Sequence, residues 1–137
     1  MEKRSEKIYL FDELRKKWLL LTPEEWVRQH LIQLLIQCYH YPAALIAVEK
    51  QVPTGTVQQR FDLVVHLRNG SPWMLIECKE PGIPLDEKVL SQAIRYQLHL
   101  QAAYLVITNG REAVIFEVVN GTLKNTTKFP DFPLETT

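Results

Sequence analysis

Residues 59–79 read QRFDLVVHLRNGSPWMLIECK, two apolar runs separated by Arg68-Asn69-Gly70-Ser71. Asn-Gly between alternating apolar residues is a strong signal for a tight hairpin. The runs 59–67 and 73–79 are therefore read as antiparallel strands. Upstream, residues 44–52 (ALIAVEKQV) form another strand, joined through Pro53, Thr54 and Gly55, which makes a three-stranded meander. Downstream, Pro81, Gly82 and Pro84 break the pattern. A helix is expected from about Asp86 to Gln101. Strands follow at 103–108 (AYLVIT) and 112–119 (EAVIFEVV), then Asn120-Gly121 and a polar, proline-containing tail. A helix between the third and fourth strands implies a right-handed crossover and a parallel pair.

Before the meander, Thr22 is a good N-cap, Pro23 suits the first helical position, and Glu24 and Glu25 favour the positive end of the helix dipole. Glu25, three residues after Thr22, completes a capping box. Val27, Leu31, Leu34 and Leu35 follow with helical period, so a helix is expected from Pro23 to Cys38, ended by Tyr41-Pro42. Residues 1–20 carry a weak helical pattern with Arg15-Lys16-Lys17 before Trp18; a short strand at Ile8–Phe11 fits as well. The order α-β-β-β-α-β-β gives an α/β fold, a mixed sheet of four to five strands flanked by helices. Residues 1–21 are read as an N-terminal extension, 22–121 as the domain and 122–137 as a tail.

The chain has 137 residues, 46% of them apolar, which is enough for one core. It contains no 18-residue apolar run and no secretion-signal pattern near its first residue, so a cytoplasmic protein is expected. Cys38 and Cys78 are too few for a disulfide framework and read as small buried hydrophobes. His30, His40, His66 and His99 lack zinc-ligand spacing. Sixteen basic residues balance sixteen acidic ones, which argues against strong, autonomous, non-specific DNA binding.

Chemistry concentrates in Asp62, Glu77 and Lys79. Alternate residues of a strand share a face, so Glu77 and Lys79 point one way and Cys78 the other. If the two strands pair through the short hairpin, Asp62 comes near Glu77, and a twist or bulge can bring the carboxylates together. Two close carboxylates repel unless a cation sits between them, and Mg²⁺ suits such oxygen donors. The ion polarises a phosphate oxygen and acidifies a bound water, and a lysine beside it orients that water or stabilises developing charge. The same residues would also serve as an ordinary strand-end ion pair, with Asp62 at the surface. Gln92 and Tyr96 lie four apart on one helical face, placed to bond a phosphate or a base edge, or to pack at the rim of the core. Glu24 and Arg28, also four apart, can pair. Either Glu24 or Glu25 can reach a metal through water, although a capping acid explains Glu25.

Together these residues resemble the PD-(D/E)xK nuclease superfamily. More closely, the chain is similar to the N-terminal nuclease domain of type I restriction enzyme R (HsdR) proteins, in a small stand-alone form. The resemblance runs from Thr22 to Gly110: Glu24 and Arg28 on the early helix, Glu49 on a strand, Arg60-Phe61-Asp62, Glu77-Cys78-Lys79 continued by Glu80-Pro81, Gln92 to Tyr96, and Thr108-Asn109-Gly110. It implies a restriction-endonuclease-like core in which Asp62, Glu77 and the Cys78 carbonyl bind Mg²⁺ or Mn²⁺. Lys79 would be the catalytic lysine, with Gln92 and Tyr96 an auxiliary motif for DNA handling and cleavage. Phe61 stands where the superfamily name expects proline. No Walker A motif accompanies the site, so ATP-driven translocation is not implied.

The expected function is a metal-dependent DNA endonuclease linked to restriction or DNA processing. The alternatives are a non-catalytic module binding nucleic acid or protein on the same fold, and a relic fold with a structural role. The chain has no recognisable DNA-reading motif. Partners beyond DNA would be restriction-modification or helicase subunits, or a second copy joined across an exposed strand.

Overall fold

The computed structural model describes residues 2–4, 7–54, 57–94 and 101–134. Strands β1 (Glu2–Arg4), β2 (Lys7–Asp12) and β3 (Lys17–Leu20) pair in antiparallel order as a small sheet. Helix α1 spans Pro23–Gln37, and a single 3-10 turn at Ala43–Leu45 leads into β4 (Ile46–Thr54), β5 (Val57–His66) and β6 (Pro72–Cys78). Helix α2 (Glu87–Ala93) crosses to β7 (Tyr104–Thr108), followed by β8 (Ala113–Val119) and β9 (Thr122–Thr126). The main sheet has the order β4-β5-β6-β7-β8-β9, with β6 and β7 parallel and the other neighbours antiparallel.

The sheet is thus six-stranded, larger than the four to five strands expected. The extra strand is β9. Asn120 and Gly121 adopt φ values of 51° and 76°, the left-handed pair that a two-residue hairpin needs, and the chain turns back on β8. Leu123 and Thr126 are only half-buried, so the polar composition of this outer strand hid its alternation. The N-terminal residues form a β ribbon rather than a helix, and its second strand contains the short strand that fits Ile8–Phe11. Asp12, 1% exposed, holds its turn by accepting the Leu14 amide at 2.8 Å and pairing with Arg15. Helix α1 starts as expected, with the Thr22 hydroxyl accepting the Glu25 amide at 3.1 Å.

Two apolar layers sandwich the sheet. On one side Val27, Leu31, Ile32 and Leu35 of α1 pack with Leu63, Val65, Met74, Ile76 and Val106. On the other, Leu85, Leu90 and Ile94 cover Phe61, Val64, Leu75, Leu105 and Ile107. At the starts of the parallel strands, Tyr41, Trp73, Tyr104 and Phe132 form an aromatic cluster, and the Tyr41 hydroxyl donates to the Pro130 carbonyl at 2.6 Å. Among the described residues, no helix is long and apolar enough to cross a membrane.

The β4–β5 ribbon turns over at Glu49 and Asp62. Ile46 and Val48 pack in the α1 layer whereas Val52 packs in the other. Leu63 and Val65 likewise lie in the first layer and Phe61 in the second. Regular alternation would keep each set on one side. The backbone of Glu49, at φ 54°, accompanies the change.

Candidate metal and nuclease site

Opposite the aromatic cluster, β6 ends in Glu77 and Cys78, and Lys79 follows. Ligands in open α/β sheets collect outside the carboxyl ends of the strands, and this end is closed here by short, determined contacts. The Lys79 amide donates to the Thr108 carbonyl at 2.7 Å. Asn109, 3% exposed, donates to the Ile83 carbonyl at 2.7 Å and accepts the Arg111 and Glu112 amides, each at 2.9 Å. Thr108-Asn109-Gly110 therefore pins the loop that leaves Lys79.

A bulge between Val65 and His66 sets the register of β5 against β6. Beyond it Leu63 pairs with Ile76, and the neighbouring Asp62 amide bonds the Glu77 carboxylate. The Cys78 amide donates to Asp62 Oδ2 at 2.7 Å. Burial, and then the charge of Asp62, push the Glu77 carboxyl up to about 7; Lys79 and the Asp62 amide act in the opposite direction. The field of Glu24 adds to the upward push and reaches Cys78 too. Burial drives the Cys78 thiol well above its ordinary range, as suits a side chain in the α1 layer.

The two acids at the start of α1 separate. Glu24 is exposed, and its charge is felt at Glu77. Glu25 is buried, pairs with Arg15 and Arg28, and accepts Gln29 at 3.0 Å. Arg28 thus takes Glu25, at 3.1 Å, as its partner on the helix in place of the expected Glu24. It also reaches Glu49 at 3.3 Å and Asp62 at 3.2 Å. Glu49 in turn pairs with Arg60 at 2.7 Å. Burial works against the Arg28 charge, but Glu25, Asp62 and Glu49 outweigh it and hold the guanidinium protonated. Burial acts upward on Glu49 also, yet the Arg60 hydrogen bond and the charge of Arg28 keep its carboxyl below the usual range.

The fold thus brings together Asp62, Glu77 and Cys78, with Lys79 next in the chain and Glu24 near enough to act electrostatically. Gln92 lies exposed on α2, and Tyr96 falls outside the described residues. Among the described residues no three His, Cys, Asp or Glu side chains are grouped as a metal-binding set. The link from Arg28 to Asp62 was not anticipated. A signal for it existed: Arg28 falls on the same helical stripe as Leu31, Ile32 and Leu35, so it had to point inward and find acids there.

The sequence profile of the type I restriction enzyme R protein N terminus (HSDR_N) matches residues 23–133. No curated protein sequence matches the chain. Among solved structures, a candidate nuclease assigned to DUF820 from Anabaena variabilis ATCC 29413 aligns with a TM-score of 0.48 and 12% identity. That alignment covers 85% of this chain and 75% of the other.

Proposed function

This chain belongs to the family of type I restriction enzyme R protein N termini, and from that premise we propose that it is a metal-dependent endonuclease. Its substrate would be DNA, its reaction phosphodiester hydrolysis by an activated water, and its setting restriction or DNA processing alongside restriction-modification or helicase subunits. The fold would be a restriction-endonuclease-like core of the PD-(D/E)xK kind.

The observation that carries this reading is the pairing of Asp62 with Glu77 at the end of β6. Asp62 raises the proton affinity of Glu77, and a divalent cation between the two carboxylates relieves that repulsion. Two carboxylates and the Cys78 carbonyl make a short donor set. That suits Mg²⁺, which keeps several waters, and Mn²⁺ shares the preference for oxygen donors. When bound, the ion supplies Lewis acidity toward a phosphate oxygen and a bound water. Lys79 orients the attacking water and stabilises negative charge as it develops at the phosphorus. Glu24 accepts a hydrogen bond from a water at the site's edge. Gln92 and Tyr96 hold the DNA backbone.

A second reading, a binding module without catalysis, draws on the Arg28–Asp62 contact. A resident guanidinium already gives Asp62 a counter-charge. Titration calorimetry separates the two. Mn²⁺ should bind the wild type and lose most of its affinity in Asp62→Ala; equal heats from both proteins would remove the metal site. Plasmid, nicked and branched DNA should be cut with Mg²⁺ or Mn²⁺. Lys79→Ala should bind Mn²⁺ as before and lose cleavage by at least about 100-fold. Retained cleavage by that variant would contradict the role given to Lys79.

A further inference from the structure

Arg28 is 6% exposed, yet it makes three ion pairs to acids on α1, β4 and β5. Its Nη2 reaches Asp62 Oδ1 while the Cys78 amide reaches Oδ2. A carboxylate held at both oxygens by rigid donors cannot swing, so its remaining lone pairs keep a fixed direction. We propose that Arg28 is the positioning residue of the site, which fixes the Asp62 carboxylate for a divalent cation; this rests on the metal-dependent reading above.

Three features support a geometric role. The Arg28 Nε is buried without a hydrogen-bond partner, and leaving a charged donor unsatisfied is costly. A buried ion-pair cluster is poor stabilisation compared with apolar packing, so stability alone does not account for the arginine. The guanidinium is also held from behind. Glu25 is fixed by Arg15 and Gln29, and Arg15 is anchored on buried Asp12. Glu49 bridges Arg28 to Arg60 from a left-handed backbone conformation that side-chain-bearing residues seldom adopt. The planar fork reaches Glu25 and Glu49 from Nη1 and Asp62 from Nη2 in fixed directions, whereas a lysine gathers its three donors on one freely rotating nitrogen.

The test measures Mn²⁺ affinity by calorimetry, together with thermal melting followed by circular dichroism, on the full chain. Arg28→Lys should remain folded at the working temperature and bind Mn²⁺ at least about tenfold more weakly than wild type. Glu49→Gln leaves Arg28 in place but removes one of its guides, and should weaken binding several-fold. A merely structural role would lower the melting temperature and leave Mn²⁺ affinity unchanged below it. Wild-type affinity in Arg28→Lys overturns the proposal, as does wild-type affinity in Glu49→Gln if Arg28→Lys does not fold. The metal site itself stands in either case. Absence of Mn²⁺ binding by the wild type, or equal binding by Asp62→Ala, overturns the metal reading and this proposal together.

Discussion

Glu77 illustrates how one carboxyl couples the site to the stability of the fold. Its ordinary value is 4.5, and in the folded protein burial and Asp62 raise it to about 7. Between those values the folded state holds a proton that the unfolded state releases. Stability from this group is therefore complete below about 4.5 and is lost as pH rises through about 7. The loss is on the order of 3 kcal/mol at alkaline pH. Glu49 behaves in the opposite sense: its depressed carboxyl contributes stability above its ordinary range that disappears in acid. In metal-free buffer the melting temperature should fall from pH 5 to pH 8, and Glu77→Gln should flatten that decline. A wild-type profile that is level across this window would show that Glu77 is not strained in this way. Mn²⁺ should raise the melting temperature more at pH 8 than at pH 5.5, because the proton and the cation compete for one carboxylate.

At the level of elements, the site depends on how closely α1 approaches the turn after β7. Gly110 has φ 86°, and a Cβ there would lie 3.1 Å from Val27 Cγ2. Gly110→Ala combines backbone strain with a clash against the helix that carries Arg28, and should destabilise the protein by about 1–2 kcal/mol in urea unfolding. An unchanged midpoint would mean that α1 yields freely. The main elements were readable because their periods are clean. Met74, Leu75 and Ile76 are all fully buried, and an unbroken apolar run is what a strand covered on both faces demands. The helix cap at Thr22 was equally plain. The N-terminal ribbon was obscured because Lys7, Glu13, Lys16 and Lys17 interrupt its apolar residues. Its decisive interaction, Asp12 with Arg15, also closes a turn that the same spacing would allow on a helix. In the site, a two-residue turn at Asn69-Gly70 would set Asp62 opposite Glu77, but the hairpin closes with Leu67 against Ser71 and returns to that register through a bulge whose position no local residue announces. Arg28 joins acids far apart in the chain, and such partners follow from topology rather than from spacing.

Across the whole molecule the main sheet has two unlike ends. Tyr41 packs edge-on to Trp73 where β6 begins, and Glu77 lies four residues along, about 13 Å away at strand rise. Tyr41→Phe removes the hydroxyl that donates to Pro130 and should cost about 1 kcal/mol while leaving Mn²⁺ affinity at its wild-type value. A change in affinity would show that the two ends communicate. The outer strands of this sheet carry a further consequence. β4 presents Lys50, Pro53 and the left-handed Glu49, and β9 presents Lys124 and Asn125. Proline removes a donor, lysine resists desolvation, and a reversed backbone breaks the row of amides that an incoming segment would need. These borders discourage polymerisation into cross-β fibres, and two copies that associate should do so through side-chain surfaces rather than by continuing the hydrogen-bonded ladder.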